Sequence, residues 1–295
     1  NQIVAVGENG RINWRNTGGT WSFNNLNPNH NLNGVNTIGN TFFAVGDNGI
    51  IWKNQNLPNP WQITSGNNQT FPLFAIDFPD PNYGYIVGTG GLLLKTSNGG
   101  TTWVPQPTGT NQTLNGVDFH TNMQGIIAGN NATLRYTSTG GISFNNATGL
   151  GSLIDNFNDA AITEDGTNAF VVGDNSTLFK STNFTNWTAQ SVPTAVQGKH
   201  FNAITLKDFV GYIVGQDGVM LKTDDCKSPH FTTWNLLSAD NSEFWSEFTT
   251  GISSDLNDVW FIDRETGYTV GNDGLILKTI TGGAYWTPRP SNTTV

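Results

Sequence analysis

The side chains able to do chemistry in this chain are 22 Asp and Glu, 13 Lys and Arg, four His and a lone cysteine, Cys226. That many carboxylates would suffice for a glycoside hydrolase, whose two acids need only stand about 5 to 10 Å apart across a sugar. Asp80, Asp165, Asp174, Asp217, Asp263 and Asp273, however, fall in turn-forming sequence, where Asp is favoured because its carboxylate bonds the adjacent backbone. No residue is therefore assigned a catalytic role. His30, His120, His200 and His230 share no common spacing, so no metal site is expected. The stretches Asp77 to Asn82 and Asp263 to Thr266 lack the regular ligand spacing of a dedicated calcium loop. One cysteine excludes an internal disulfide and a multi-cysteine zinc site. Recurring Gly-x-x-Gly turns could cradle a phosphate only with a helix N-terminus behind them, and strand-forming sequence follows instead. No cofactor is expected.

A net charge of -9 without any basic run leaves no source for the counterion release that drives nucleic-acid binding. No apolar run approaches the roughly 20 residues of a membrane helix, so no membrane insertion is expected. The opening Asn1-Gln2-Ile3-Val4-Ala5-Val6-Gly7 has no signal-peptide pattern, which suggests a mature fragment of a larger polypeptide or assembly. Acidic, Asn-rich and Lys-poor, the chain suits an extracellular or cell-surface setting.

The elements that must position these residues are short strands. With 39 Asn and 35 Gly among 295 residues, helix interiors are disfavoured and tight turns favoured, because both residues tolerate positive φ. The pattern apolar-Val-Gly-x-x-Gly-x-apolar recurs with its first glycine at Gly7, Gly46, Gly88, Gly129, Gly173, Gly215 and Gly271, at spacings of 39, 42, 41, 44, 42 and 56. Upstream of six copies lies a second motif, apolar-Asn-small-apolar, as in Leu32-Asn33-Gly34-Val35, Leu114-Asn115-Gly116-Val117 and Phe201-Asn202-Ala203-Ile204; in Leu73-Phe74-Ala75-Ile76 the Asn is replaced. Repeat three resolves into strands at Leu73 to Phe78, Tyr83 to Gly88, Leu92 to Thr96 and around Trp103, separated by turn sequences. Four strands in about 42 residues, with near-continuous apolar runs, make a propeller blade.

The expectation is an all-β, seven-bladed β-propeller of four-stranded antiparallel blades, one domain spanning 1–295 with blades near 1–31, 32–72, 73–113, 114–155, 156–199, 200–254 and 255–295. The inner-strand motif occurs six times against seven glycine turns. Either blade one has three strands, or its inner strand belongs to sequence outside the chain.

The turn Thr96-x-Asn98-x-Gly100-x-Thr102-Trp103 resembles the Asp-box of bacterial neuraminidase (BNR) repeats, with Asn replacing Asp. Weaker copies include Asn16, Gly18 and Trp21, then Gly141, then Asp225 to Trp234, then Gly283 and Trp286. Together with Leu-Asn-x-Val, Gly-Tyr-x-Val-Gly and Gly-x-Leu-Leu-Lys-Thr, the unit resembles the seven-bladed propellers related to the photosystem II stability and assembly factor, similar domains of which occur in secreted bacterial surface proteins. In such repeats the Asp-box is structural: its polar groups satisfy turn amides and its Trp packs between sheets. A sialidase would need a triad of arginines, and no motif gathers Arg11, Arg15, Arg135, Arg264 and Arg289. The Arg-rich patch that the assembly factors carry is likewise missing.

The resemblance places the second-to-third-strand turns on one face, with Asp47, Asp174, Asp217 and Asp273 as candidate binding residues. Asn33, Asn115, Asn158, Asn202 and Asn257 lie nearby, most simply as turn caps. The wide spacing before the last repeat puts about 14 extra residues into 235–255, including Glu243, Phe244, Trp245, Glu247 and Phe248; insertions on one face of a repeat protein often bind partners, and aromatic residues anchor interfaces. The expected function is a non-enzymatic binding or display module of a secreted or cell-surface bacterial protein, with a protein or glycan partner. The alternatives are a carbohydrate-active enzyme or lectin and, second, an assembly factor for a membrane protein complex.

Overall fold

The computed structural model describes residues 2–16, 19, 21–27, 29–64, 70–227, 233–237 and 252–291. Its fold is a seven-bladed β-propeller, with no α-helix among the described residues. Among the described residues six blades are four-stranded and antiparallel, while blade 1 has three strands, Gln2–Val6, Arg11–Asn16 and Ser22–Asn25. The chain falls into two compact units, Asn1–Asn146 with blades 1 to 4 and Ala147–Val295 with blades 5 to 7.

Blade 3 illustrates the plan: Leu73–Asp77 is the inner strand, followed by Gly84–Gly88, Leu93–Thr96 and the outer Val104–Gln106. The second strands of blades 3 to 6 are fully buried, which explains their unbroken apolar runs. A bulge after the first residue of every inner strand turns the motif residues out of simple alternation.

The periodic glycine has a steric cause. A Cβ on Gly46, Gly88, Gly129, Gly173, Gly215 or Gly271 would stand 2.0 to 2.4 Å from the carbonyl oxygen that precedes its inner strand. A second glycine clears an aromatic ring: a Cβ on Gly84, Gly125 or Gly267 would lie 2.4 to 2.6 Å from Phe78, Phe119 or Phe261. Those rings join neighbouring blades. Phe78 stacks on Phe43 at 4.5 Å, Phe119 on Tyr85 at 3.5 Å and Phe261 on Tyr212 at 3.7 Å, so the last ring of one inner strand covers the second strand of the blade before it. Indoles just before the outer strands join two of these clusters, Trp103 meeting Phe78 and Trp286 meeting Phe261 edge-on, while Trp234 meets Phe170 in a cluster between blades 5 and 6.

Two polar devices repeat between blades. Asn33 Nδ2 donates to the Leu73 carbonyl at 2.9 Å, Asn158 to Phe201 at 3.0 Å and Asn202 to Leu256 at 2.9 Å. These asparagines, read from sequence as turn caps, therefore clasp the next inner strand as well. Lys53 and Lys95 Nζ donate to the Gly99 and Gly140 carbonyls of the next Asp-box loop, each at 2.7 Å. Of eight lysines in the chain, five occupy this third-strand position: Lys53, Lys95, Lys180, Lys222 and Lys278.

The Asp-box of blade 3 closes as its residue types require. Asn98 Oδ1 accepts from the Thr102 amide at 3.0 Å and the Thr96 hydroxyl at 2.9 Å, while Thr96 Oγ1 accepts from the Gly100 amide at 3.0 Å. An amide side chain serves because the essential acceptor is a single oxygen. Thr137 and Thr279 cap Gly141 and Gly283 in the same way. Blade 5 adds a copy without the expected glycine: Ser181, Asn183 and Trp187 close it, with Phe184 at φ 64 in the left-handed position. Gly18 lies outside the described residues, and Trp21 is buried.

Candidate functional site

Every second-to-third-strand connection is a tight turn whose middle residue has positive φ, as in Asn48, Gly90, Asn175, Asp217 and Asp273. In blades 2 to 7 these turns lie against the chain entering the inner strand, because the amide after the first glycine donates to the residue before that strand. Asp47 bonds the Asn31 carbonyl at 3.0 Å and Asp174 the Asn156 carbonyl at 3.0 Å.

The four candidate aspartates each sit on the turn of their own blade. Asp47 is half-buried and accepts from the Asn31 amide at 3.1 Å and from Asn33 Nδ2 at 3.4 Å. Asp174 accepts from Asn156 at 2.9 Å and Asn158 at 3.1 Å and meets His200 Nδ1 at 2.9 Å. Partial burial pushes its carboxyl up, but the bonds from Asn158 and His200, with the His200 charge and Asn156, hold it below the ordinary carboxylate range. Asp217 pairs with Lys199 at the surface, and Asp273 is exposed. Among the described residues no hydrogen bond or ion pair joins any two of the four. The other candidates, Glu243, Phe244, Trp245, Glu247 and Phe248, lie outside the described residues.

Carboxylates with strongly raised proton affinity lie on inner strands instead. Asp159 is pushed to about 7 by burial, against which the Ile204 and Ala160 amides act, while the Asp258 charge adds to the rise. Its two oxygens accept from those amides at 2.9 and 2.8 Å, so it is a strut between blades 5 and 6. Asp77 does the same for blades 3 and 4, accepting from the Phe119 amide at 2.9 Å, and burial raises it too. Neither carboxylate lines the groove described below. Among the described residues no three of His, Cys, Asp and Glu come together to hold a metal, and no helix is long and apolar enough to cross a membrane. Cys226 is buried, and burial pushes its thiol up to about 12, away from reactivity.

A groove that sequence reasoning missed opens on blade 3, with a volume of about 400 Å³. Phe71, Leu92 and Pro107 give it apolar walls, Gln106, Thr108 and Asn111 polar ones, and no charged side chain lines it. Its origin is local. The turns of the other six blades read Glu8-Asn9-Gly10, Asp47-Asn48-Gly49, Asn130-Asn131-Ala132, Asp174-Asn175-Ser176, Gln216-Asp217-Gly218 and Asn272-Asp273-Gly274, whereas blade 3 has Thr89-Gly90-Gly91. Blade 3 alone carries no acid or amide side chain there, and a Cβ on Gly90 would meet nothing within 4 Å. The opposite wall is fixed by buried Thr108, whose Oγ1 donates to the Gly91 carbonyl at 2.7 Å. The double glycine is the signal by which this site could have been found.

Residues 53–150, containing this groove, match the family model described as photosynthesis system II assembly factor YCF48. A chloroplastic photosystem II stability/assembly factor, HCF136 of Cyanidioschyzon merolae, is 43% identical over 60 residues, 20% of this chain and 11% of the relative. The photosystem II assembly lipoprotein Ycf48 of Synechococcus sp. (strain CC9902) is 31% identical over 87 residues, 28% of this chain and 26% of the relative. The matches thus span about a tenth and a quarter of these relatives' lengths. Among solved structures, YCF48 bound to a D1 peptide superposes with a TM-score of 0.73 at 16% identity, over 94% of this chain and 88% of the other. The GH74 enzyme of Niastella koreensis gives 0.68 at 14% identity, over 87% and 45%. At such identities these structures speak to fold alone. The chain is a BNR-type, seven-bladed propeller related to the photosystem II assembly factors. The expected extracellular or cell-surface location does not stand, because the matched relatives are named as a chloroplastic factor and as photosystem II assembly lipoproteins.

Proposed function

We propose that this propeller is a non-enzymatic assembly factor of the photosystem II type, holding a segment of a client protein in the groove of blade 3. The observation that carries this reading is the uncharged, half-apolar groove of about 400 Å³ inside the stretch matched by the family model. Exposed Phe71 offers an apolar anchor, while Gln106 and Asn111 offer amides to a peptide backbone. The likeness in fold to YCF48 bound to a D1 peptide supports a protein partner. Against an enzyme stand Asp77 and Asp159, whose carboxylates are bonded to backbone amides between blades.

The test is calorimetric titration of the purified chain with a D1 peptide. Saturable binding is expected, weakened at least about tenfold in Phe71→Ala, the usual scale for loss of one anchor of about 1.4 kcal/mol. No binding would sink the photosystem part of the proposal. Turnover of any glycoside in a chromogenic panel would sink the non-enzymatic part.

A further inference from the structure

Blade 4 breaks the repeat at one position of its third strand, Thr133–Thr137. Arg135 pairs there with Ile127, and the equivalent residues of the other blades are Asn13, Trp52, Leu94, Phe179, Leu221 and Leu277. Leu94 belongs to the apolar cluster that includes Phe43 and Ile51 of blade 2, so this position faces the preceding blade. Arg135 faces blade 3 in the same way: a Cβ on Gly109 would stand 3.0 Å from its Nη1 and 3.7 Å from its Cζ. Gly109 lines the groove of blade 3 between Thr108 and Thr110. The half-buried guanidinium therefore stands directly behind the groove wall, with no hydrogen bond or ion pair among the described residues. Lys95, the other fixed cation of blades 3 and 4, is already bonded to the Gly140 carbonyl at 2.7 Å. The carboxylates leave the same two blades clear. The second-to-third-strand turns of blades 1, 2, 5, 6 and 7 carry Glu8, Asp47, Asp174, Asp217 and Asp273, whereas Thr89-Gly90-Gly91 and Asn130-Asn131-Ala132 carry no acid. In a chain of net charge -9, the groove and Arg135 thus share the two blades whose turns do not repel an anion.

We infer that the segment held in the blade 3 groove carries an Asp or Glu side chain close to its apolar anchor, and that Arg135 selects it. The apolar residue lies against Phe71, Leu92 and Pro107, while the carboxylate passes Gly109 and accepts two N–H bonds from the guanidinium. The missing side chain at Gly109 keeps that approach open. A volume of about 400 Å³ exceeds what one side chain fills, so the segment runs through the groove and its acid is a side chain, not a chain end. Pairing also removes the cost of a half-buried cation left without a partner. This inference rests on the reading of the groove as a client site and adds what that site discriminates.

The test uses short peptides blocked at both ends, each with a single Phe in a Gly-Ser background and an Asp, or an Asn in its place, one, two or three positions to either side. They are titrated into the whole chain in low salt and followed by NMR shift changes. At least one Asp peptide is expected to bind about tenfold more tightly than its Asn counterpart, the usual scale of one charge-assisted pair, with the preference shrinking as salt is added. Arg135→Leu, which installs the residue type of blades 3, 6 and 7, is expected to erase the preference while leaving the affinity for the Asn peptide and the thermal melt unchanged. Phe71→Ala is expected to weaken both peptides alike. Equal binding of every Asp and Asn pair, or a preference that survives in Arg135→Leu, overturns the inference and leaves the groove reading standing. An Asn peptide with a free C-terminus that matches the best Asp peptide overturns the choice of a side chain. Binding of none of the peptides overturns the groove reading and this inference with it.

Discussion

Blades 1 and 3 share the same hairpin and the same glycine turn, but differ in what covers their second strand. In blade 3, Leu73–Asp77 seals the strand Gly84–Gly88, which is buried at all five residues. In blade 1, Gln2–Val6 has the same kind of residues and remains half-buried. The difference separates what a hairpin needs for itself from what it needs for its neighbour. The turn geometry is self-sufficient, since Asn9 and Gly10 adopt positive φ just as Gly90 and Gly91 do. Full burial and the glycine's steric necessity come only with the inner strand.

The largest expected effect strikes the blade that has all of these. Trp103 is 2% exposed and meets Phe43 and Phe78 edge-on at 6.4 and 5.8 Å. Trp103→Ala is expected to cost about 3 to 5 kcal/mol, the usual range for emptying a buried indole site, read as a lowered midpoint in urea unfolding. A loss under about 1 kcal/mol would mean that the cluster does not hold blades 2 and 3 together.

The sharpest contrast between the two blades is the same substitution made in both. A Cβ on Gly88 would stand 2.3 Å from the Pro72 carbonyl oxygen, so Gly88→Ala forces the inner strand outward and is expected to cost about 2 to 3 kcal/mol, as overpacking does. Gly7→Ala meets open space in extended backbone and is expected to stay within about 0.5 kcal/mol of the parent. Equal losses at both positions would show that the glycine is required by the turn and not by the strand it faces.

Much of this was legible in sequence for a physical reason: a backbone carbonyl pressed against a glycine tolerates no side chain, so the glycine recurs wherever the strand does. Counting six inner-strand motifs against seven glycine turns even located the gap in blade 1. What sequence could not show were contacts whose partners lie some 40 residues away. Asn33 looks like a turn cap until the Leu73 carbonyl is placed beside it. The Asp-box of blade 5 was hidden because Phe184 adopts the left-handed conformation where a glycine was sought. Asp47 and Asp174 looked like a free acidic rim, yet their oxygens accept bonds from Asn31, Asn33, Asn156, Asn158 and His200. The groove depends on the side chain that is missing at Gly90, where the other six blades carry Asn or Asp, and no search for chemical groups detects an absence.

A smaller effect is expected in the Asp-box of blade 3, a feature that does not depend on the inner strand. Asn98→Ala removes the acceptor for the Thr102 amide and the Thr96 hydroxyl at an exposed position, at a cost of about 1 kcal/mol. Asn98→Asp keeps that oxygen and is expected to be neutral within about 0.5 kcal/mol. Should both substitutions cost the same, the acceptor oxygen is not what the turn requires.

The smallest effect has the opposite sign and compares the turns of blades 3 and 4. Where blade 3 has Gly90 and Gly91 at φ 72 and 73, blade 4 places Asn131 and Ala132 at φ 52 and 51. Asn tolerates this region because its side chain can bond locally, but Ala has no such compensation and sits there at a cost of about 1 kcal/mol. Ala132→Gly relieves that strain while adding freedom to the unfolded chain, which takes back part of the gain. A net stabilisation of about 0.5 kcal/mol is therefore expected, visible as a small rise in the denaturation midpoint at unchanged slope. The same substitution at Gly91 in reverse, Gly91→Ala, should be far worse than this symmetry suggests, because its Cβ would stand 2.0 Å from the Thr110 carbonyl oxygen. If Ala132→Gly destabilises the chain, packing of the Ala132 methyl group outweighs the strain of its positive φ, and the two turns differ in kind.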